Sequence, residues 1–238
     1  MKALILSAGL GTRLRPLTET TPKPLLPIAS KPLLTYHLES LVKFGITDVL
    51  INTHYFHEQI EDFVLNNKFQ NLNVKTVFEE ELLGSAGTLK ENKDFFEGEE
   101  NFLIIYGDNL TNINYKKLIE NHKNKNPLVT LACYVEDHPE SKGIINFDDN
   151  NKILSFVEKP NLEQVTSKYA NAGIYVVNKK IFNYLQDFDK TLIDFGHDIF
   201  PFLLEKGESL YVYKMDEIVF DIGTLENYEK AQKMVLKF

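Results

Sequence analysis

Apolar positions along the first half of the chain alternate between two rhythms. Residues Lys2-Ala-Leu-Ile-Leu-Ser7 form an apolar run of strand length that breaks into a loop with glycines at 9 and 11. Over 33–44 the apolar positions 33, 34, 38, 41 and 42 keep helix spacing, and Gly45 stands where a helix C-cap falls. A short apolar strand follows at 48–52, then an amphipathic helix at 56–65 and an alternating strand at 73–78. This β-α-β-α-β order predicts a mainly parallel sheet with helices on both faces.

Beyond 78 the run Glu79-Glu-Glu-Leu-Leu-Gly84-Ser85-Ala-Gly87-Thr88 is rich in small residues, and a helix is predicted over 88–96 with Ser85 or Thr88 as its N-cap. A strongly apolar strand at 101–106 ends in Gly107-Asp108-Asn109, followed by a helix at 115–124 and a strand at 128–135. The character then changes. Strands at 144–148 and 153–158 flank Asp149-Asn150-Asn151, an antiparallel hairpin signal. A strand holding 171–177, a helix at 194–204, a strand at 210–213 and the segment 219–224 lead into a final helix through Val235. No linker, repeat or low-complexity segment cuts the chain, so residues 1–238 read as one domain.

The loop after the first strand carries Arg13, Arg15, Lys23 and Lys31. A polyphosphate needs backbone N–H groups brought close to it, which Gly9 and Gly11 allow, and cations with directed donors, which Arg13 and Lys23 supply. Prolines at 16, 22, 24, 27 and 32 stiffen the loop. The stretch therefore reads as a phosphate cradle. It is not the dinucleotide fingerprint, whose third glycine falls on Leu14, and the Walker pattern is absent; a G-x-G alone marks an ordinary turn as readily as a site. Arg15 and Lys31 read as solvated loop cations.

Asp108 follows a strand at the carboxyl end, where ligands gather in open α/β sheets, although Asp-Asn is also a common turn starter. Asp221 ends a second predicted strand, with Thr224 as an N-cap candidate for the helix after it. Mg²⁺ takes hard oxygen ligands and keeps much of its water, so one or two carboxylates suffice. Asp108 and Asp221 are the candidates. Glu158-Lys159-Pro160 read alone is an ordinary solvated pair at a strand end.

The formal net charge of −8 argues against a nucleic-acid surface and makes the basic loop a local site in an acidic protein. The 43% hydrophobic content over 238 residues supplies a sizeable core. One cysteine, Cys133, reads as a small core hydrophobe in a reducing compartment. Met1-Lys2-Ala3 opens directly into a strand without signal-peptide architecture, and no apolar run reaches bilayer length. A cytoplasmic protein without a membrane partner is expected; a homo-oligomer is allowed.

Gly9-Leu-Gly11-Thr12-Arg13, Pro16 and Pro22-Lys23-Pro24 resemble the signature of sugar-1-phosphate nucleotidylyltransferases, closest in pattern to compact mannose- and heptose-1-phosphate guanylyltransferases. The motifs run in order from Gly9 to Thr224. The resemblance implies a Rossmann-like three-layer α/β nucleotidyltransferase fold, with a mostly parallel central sheet and an added antiparallel sugar-binding part. Residues 1–110 would mainly serve the nucleotide and 111–238 mainly the sugar. A C-terminal β-helix, frequent in the family, is not expected in a chain ending here, and neither is acyl transfer.

The resemblance further implies transfer of a nucleoside monophosphate from a nucleoside triphosphate to a sugar 1-phosphate, with release of pyrophosphate. Arg13 and Lys23 take the catalytic roles, Arg13 on the β and γ phosphates and Lys23 between the attacking and α phosphates. Ala8, Gly9, Gly11, Thr12, Arg13, Glu79, Gly84 and Ser85 fall at nucleotide-binding positions. Gly143, Glu158, Lys159, Asn171 and Gly173 fall in the sugar-phosphate pocket, and Asp108 and Asp221 hold Mg²⁺. Ser7 where Ala is more frequent, Leu82 where Pro is common and Phe220 where Trp is frequent are departures that remove no charged group. Glu79 stands where uracil- and thymine-binding members often carry Gln; an ionised carboxylate offers acceptors only, which suits the adjacent donors of guanine, although three consecutive glutamates also read as a solvated edge.

A silent regulatory subunit on the same fold would be expected to lose one of Arg13, Lys23, Asp108 or Asp221. A glycosyltransferase would carry an Asp-x-Asp metal motif, and that spacing occurs only at Asp187-Phe188-Asp189, far along the chain from the glycine loop.

Overall fold

The computed structural model describes residues 1–234. The chain is mixed α/β and falls into two units, one made of Met1–Leu82, Ile105–Asn114 and the stretch from Glu217, the other of Leu83–Ile104 and Tyr115–Asp216. The chain leaves the first unit twice and returns each time.

In the first unit Lys2–Leu6 pairs in parallel with Asp48–Thr53, which pairs in parallel with Asn73–Phe78, as the alternating pattern predicts. The end of Asn101–Tyr106 flanks Lys2–Leu6 on its other side. Ala3, Leu4, Ile5, Val49 and Ile51 are wholly buried, the signature of strands covered on both faces. The helix Leu33–Lys43 buries Leu33, Leu34, Leu38 and Leu41, the positions its spacing marks. It ends on Gly45 at φ 75°, with the Gly45 N–H donating to the Val42 carbonyl (3.1 Å) and that of Ile46 to the Leu41 carbonyl (3.0 Å). This is the paired-bond stop that a left-handed glycine permits.

The second unit is largely antiparallel. Gly143–Phe147 and Ile153–Glu158 form the expected hairpin, and Tyr169–Asn178 pairs antiparallel with Val129–Val135, which is itself parallel to Leu210–Lys214. Rings of Phe156, Tyr175, Phe195 and Phe200 pack together at centroid distances of 5.0–5.5 Å. Cys133 is buried opposite Asn171 and Lys214, and burial pushes its thiol up to about 12. His122 is buried between Thr130 Oγ1 (2.9 Å) and Asn101 Oδ1 (3.0 Å), and desolvation lowers its imidazole to about 4.

Two predicted helices differ. The one expected at 88–96 begins earlier, as Ser85–Glu91, and gives way to a 3-10 turn at Lys93–Phe96. Gly84, at φ 75°, takes the N-cap position in place of Ser85 or Thr88, and the Thr88 hydroxyl donates back to the Gly84 carbonyl. The stretch 194–204 is a wide π turn, Phe195–Ile199, followed by a short α-helix, Phe200–Glu205. Pro201 has no N–H to continue the bonding of the preceding turn, so the helix restarts there. The last helix is Leu225–Met234, and the expected Val235 lies outside the described residues. Among the described residues no helix is long and apolar enough to cross a membrane.

Candidate active site

The basic loop is pinned by a small apolar cluster. Leu14, Leu26, Ile28, Leu33, Leu110, Ile222 and Ala231 bury one another, with Leu17, Tyr36, Phe220 and Tyr228 packed around them. Each cluster member near the chemistry is a close chain neighbour of a charged group: Leu14 of Arg13, Leu26 of Lys23, Leu110 of Asp108, Ile222 of Asp221. Packing the apolar partners therefore positions the charges. The segment 27–29 is further tied to the last helix, where Tyr228 Oη and Gln232 Nε2 donate to the Pro27 carbonyl (2.7 and 2.6 Å) and Gln232 Oε1 accepts the Ala29 N–H.

Asp108 and Asp221 meet because Asn109–Thr111 and Val219–Asp221 form a two-stranded antiparallel ribbon with Asn109 opposite Asp221. The Ile222 N–H donates to the Asp108 carbonyl at 3.1 Å. Thr224 caps the following helix by accepting the Asn227 N–H, and Asn227 Nδ2 donates to the Asp221 carbonyl. The expected cap is thus present, and it holds the metal-candidate turn from behind.

Lys23 reaches into this junction. Its ammonium donates to Asp108 Oδ2 at 2.8 Å and lies 3.8 Å from Asp221 Oδ1. The lysine side chain is 9% exposed, and a lysine this buried must be paired. Arg13 joins at Gly223: a Cβ there would stand 2.8 Å from Asp221 Oδ1 and 3.0 Å from Arg13 Nη2. Gly107 is required for a similar reason, since a Cβ on it would meet Ser7 Oγ at 2.5 Å and the Leu6 carbonyl at 3.0 Å. Gly9 differs from both. A Cβ on it would meet nothing within 4 Å, so the space beside the loop is open there. Behind Asp108 lies His37, buried in its helix and lowered to about 4 by desolvation, with the Asp108 charge and the backbone of Gly107 and Asn109 acting the other way.

Glu79 is 4% exposed, while Glu80 and Glu81 are exposed, so only the latter two fit a solvated edge. Its Oε1 accepts from Asn52 Nδ2 (2.9 Å), and Asn52 Oδ1 accepts the Ser7 N–H (2.7 Å). Asn52 thus links the start of the glycine loop to Glu79, and the sequence reading missed it. The available signal was a lone amide near the end of the apolar strand Asp48–Thr53. Lys31 is engaged with Glu39 (2.6 Å) and lies over the Tyr36 ring.

The remaining candidates belong to the second unit. Gly143 and Glu158 stand directly opposite each other in the hairpin. Lys159 adopts φ 46°, with its N–H on the Lys142 carbonyl. Asn171 Oδ1 accepts the N–H of Gly173, which sits at φ 67°, and its Nδ2 donates to Tyr175 Oη. The Ser85 hydroxyl donates to Asp194 Oδ2 at 2.7 Å and accepts the Phe195 N–H at 2.9 Å. Burial, and after it the charge of Asp194, raise the Glu158 carboxyl above the ordinary carboxylate range, opposed by Lys159, His197 and Lys142. Asp194 was not singled out by sequence, because its role depends on a turn that folds back over the hairpin.

The arrangement in the first unit gathers two carboxylates, an ammonium and a guanidinium. No group of three or more His, Cys, Asp or Glu suited to a metal ion occurs among the described residues. Two oxygen donors without imidazole or thiolate fit a hard, largely hydrated cation such as Mg²⁺ and not Zn²⁺.

Known proteins with related sequences include the UTP–glucose-1-phosphate uridylyltransferase of Synechocystis sp., 33% identical over 99% of this chain and 63% of that protein. The mannose-1-phosphate guanylyltransferase catalytic subunit beta of Drosophila melanogaster is 34% identical over 95% of this chain and 60% of that protein. The chain therefore spans less than two thirds of the length of these curated relatives. Among solved structures, HddC of Yersinia pseudotuberculosis complexed with GMP-PN superposes with a TM-score of 0.81 at 28% identity, covering 98% of this chain and 99% of that one. A Bacillus anthracis protein in complex with a sucrose, provisionally named glucose-1-phosphate thymidylyltransferase, gives a TM-score of 0.90 at 27% identity, covering 100% and 96%. Matched by the nucleotidyl transferase sequence model over residues 2–237, the chain belongs to the nucleotidyl transferase family.

Proposed function

We propose that the protein transfers a nucleoside monophosphate from a nucleoside triphosphate to a sugar 1-phosphate and releases pyrophosphate. The observation that carries this reading is the convergence of Lys23 on Asp108 and Asp221, with Arg13 brought to Asp221 at Gly223. Attack of one phosphate on another brings anions together, so the work of the protein is charge neutralisation and positioning. Arg13 binds the departing β and γ phosphates with its planar fork, and Lys23 bridges the attacking and α phosphates. Ala8, Gly9, Gly11 and Thr12 present the loop backbone to the nucleotide, with Gly84 and Ser85 on its second glycine segment. Asp108 and Asp221 would hold Mg²⁺, which supplies neutralisation of phosphate charge. In the second unit Glu158 accepts sugar hydroxyls and Lys159 contacts the sugar phosphate, beside Gly143, Asn171 and Gly173.

Guanine is the favoured base, and a manno-type hexose or heptose the favoured sugar. Support comes from the buried, amide-oriented carboxylate of Glu79, whose acceptors match the paired donors of guanine. The names of the Drosophila relative and of the HddC complex point the same way. A uridylyl or thymidylyl enzyme is the second reading, favoured by the names of the Synechocystis and Bacillus anthracis proteins.

The test is pyrophosphate release by the purified chain with Mg²⁺, five nucleoside triphosphates and a panel of sugar 1-phosphates. Release should require both substrates, stop in EDTA and be fastest with GTP, by about 10²-fold in kcat/KM over UTP and dTTP. Glu79→Gln should erode that preference. Absence of release with every pair, or full turnover in EDTA, overturns the reaction; equal kcat/KM with UTP or dTTP overturns the base.

A further inference from the structure

The Glu158 carboxylate occupies a slot walled by two glycines. A Cβ on Gly143 would stand 2.5 Å from Glu158 Oε2, and one on Gly196 would stand 2.6 Å from the same oxygen. Either Cβ would force the end of the Glu158 side chain to move. Gly196 is not in the left-handed region, so room for the carboxylate, and not backbone conformation, is what this position demands.

The Gly196 wall is built by Asp194. Its Oδ1 accepts the N–H groups of Gly196 (2.9 Å) and His197 (3.3 Å), and its Oδ2 accepts the Ser85 hydroxyl (2.7 Å). Ser85 Oγ in turn accepts the Phe195 N–H. Backbone bonds run alongside: the Ile193 N–H donates to the Leu83 carbonyl, and the Ile193 carbonyl accepts from Ala86 and Gly87. The 83–87 segment and the 193–197 turn are therefore laced together by main chain and by one shared hydroxyl. Capping such a turn needs only a side-chain oxygen, which Asn or Ser would supply without charge. An acid used here adds a negative charge beside a carboxyl whose burial already disfavours ionisation.

We propose that Asp194 is a positioning residue of the sugar subsite: it holds the Gly196 turn where the Glu158 carboxylate fits against it, and through Ser85 it couples that carboxylate to the 84–87 glycine segment. The proposal rests on the reading of Glu158 as acceptor of sugar hydroxyls. Its consequence is that sugar recognition depends on residues that never touch the sugar. The groups acting on Glu158 are Lys142 before its partner strand, Lys159 after its own strand, and Asp194 and His197 on the turn. Removing the Asp194 charge leaves burial as the main influence raising the carboxyl.

The experiment measures KM for mannose 1-phosphate and glucose 1-phosphate, KM for the nucleotide, and the pH dependence of each. The variants are Asp194→Asn, Gly196→Ala, Ser85→Ala and Glu158→Gln. Gly196→Ala should raise the sugar-phosphate KM by about 10-fold or more while the nucleotide KM stays within about 2-fold, and Ser85→Ala should raise the sugar-phosphate KM as well. Asp194→Asn keeps an acceptor for the turn but loses the charge, so the acid limb of the sugar-phosphate KM profile should move to lower pH, a shift that a purely structural cap would not produce. If Glu158→Gln raises the sugar-phosphate KM while Asp194→Asn leaves the acid limb in place and Ser85→Ala leaves KM unchanged, the proposal is overturned and the reading of Glu158 survives. An unchanged KM in Glu158→Gln overturns that reading and the proposal with it.

Discussion

The charged clusters of the two units follow opposite electrostatic plans. In the first, a buried ammonium is set between two carboxylates, and every charge has an opposite neighbour. In the second, a half-buried carboxyl is set beside another carboxylate, and only Lys159, His197 and Lys142 act against the repulsion. The first plan keeps charge in place to meet further charge, as phosphate chemistry requires. The second raises a carboxyl through burial and a like-charged neighbour, at a position proposed to accept hydrogen bonds from sugar hydroxyls. A compensated cluster and a frustrated one thus divide the proposed labour between catalysis and recognition.

That division is broken most directly at Lys23. Lys23→Ala should lower kcat by about 10²–10³-fold with little change in the circular dichroism spectrum, because a preorganised charge aimed at the transition state is lost. Near-normal turnover would remove the basis for assigning catalysis to the first unit. Next in size is a variant without any charge change. Leu14→Ala should cost about 2–5 kcal/mol in chemical denaturation, since Leu14 is wholly enclosed in the cluster that carries the loop. A loss below about 1 kcal/mol would mean that the cluster does not hold the cradle.

The second unit should respond in binding. Glu158→Ala is expected to raise the sugar-phosphate KM by about 10–100-fold, the worth of one or two hydrogen bonds to a charged group, with a smaller change in kcat. A kcat loss as large as that of Lys23→Ala would erase the contrast. The smallest effect concerns pH. His122 is held neutral, lowered to about 4 from its ordinary 6.5, so the stability it lends is present above about 6.5 and is lost as pH falls toward 4. The Glu158 carboxyl, being raised, acts in the opposite sense, its contribution falling as pH rises through its folded value. Urea midpoints between pH 6.5 and 4.5 should therefore decline, and His122→Asn should flatten part of the decline; an unaltered slope would show that His122 does not set it.

Much of this was legible in the sequence because it is local. The strand-then-glycine loop, the stop at Gly45, the hairpin around Asp149-Asn150-Asn151 and the Thr224 cap all follow from short-range rules. What escaped depends on distant pairing. Asp108 and Asp221 stand out together in the sequence, but the ribbon of Asn109–Thr111 with Val219–Asp221 that joins them does not, and no periodicity announces that Gly196 must make room for Glu158. The helix at Ser85–Glu91 began before its predicted start because Gly84, and not a hydroxyl residue, occupies the cap. The return of the chain to its first unit is likewise unmarked by any change in composition.

Cys133, the single thiol, lies inside the Val129–Val135 strand with its ionisation pushed up to about 12. At neutral pH almost none of it is thiolate, and alkylating reagents attack the thiolate. Cys133 is also wholly buried, so labelling is expected to proceed from molecules in which the pairing with Tyr169–Asn178 and Leu210–Lys214 has opened. The rate of incorporation of a maleimide or iodoacetamide becomes a clock for that opening, read at one known atom and without any engineered probe. The protein carries its own gauge of local stability in the unit proposed to read the sugar.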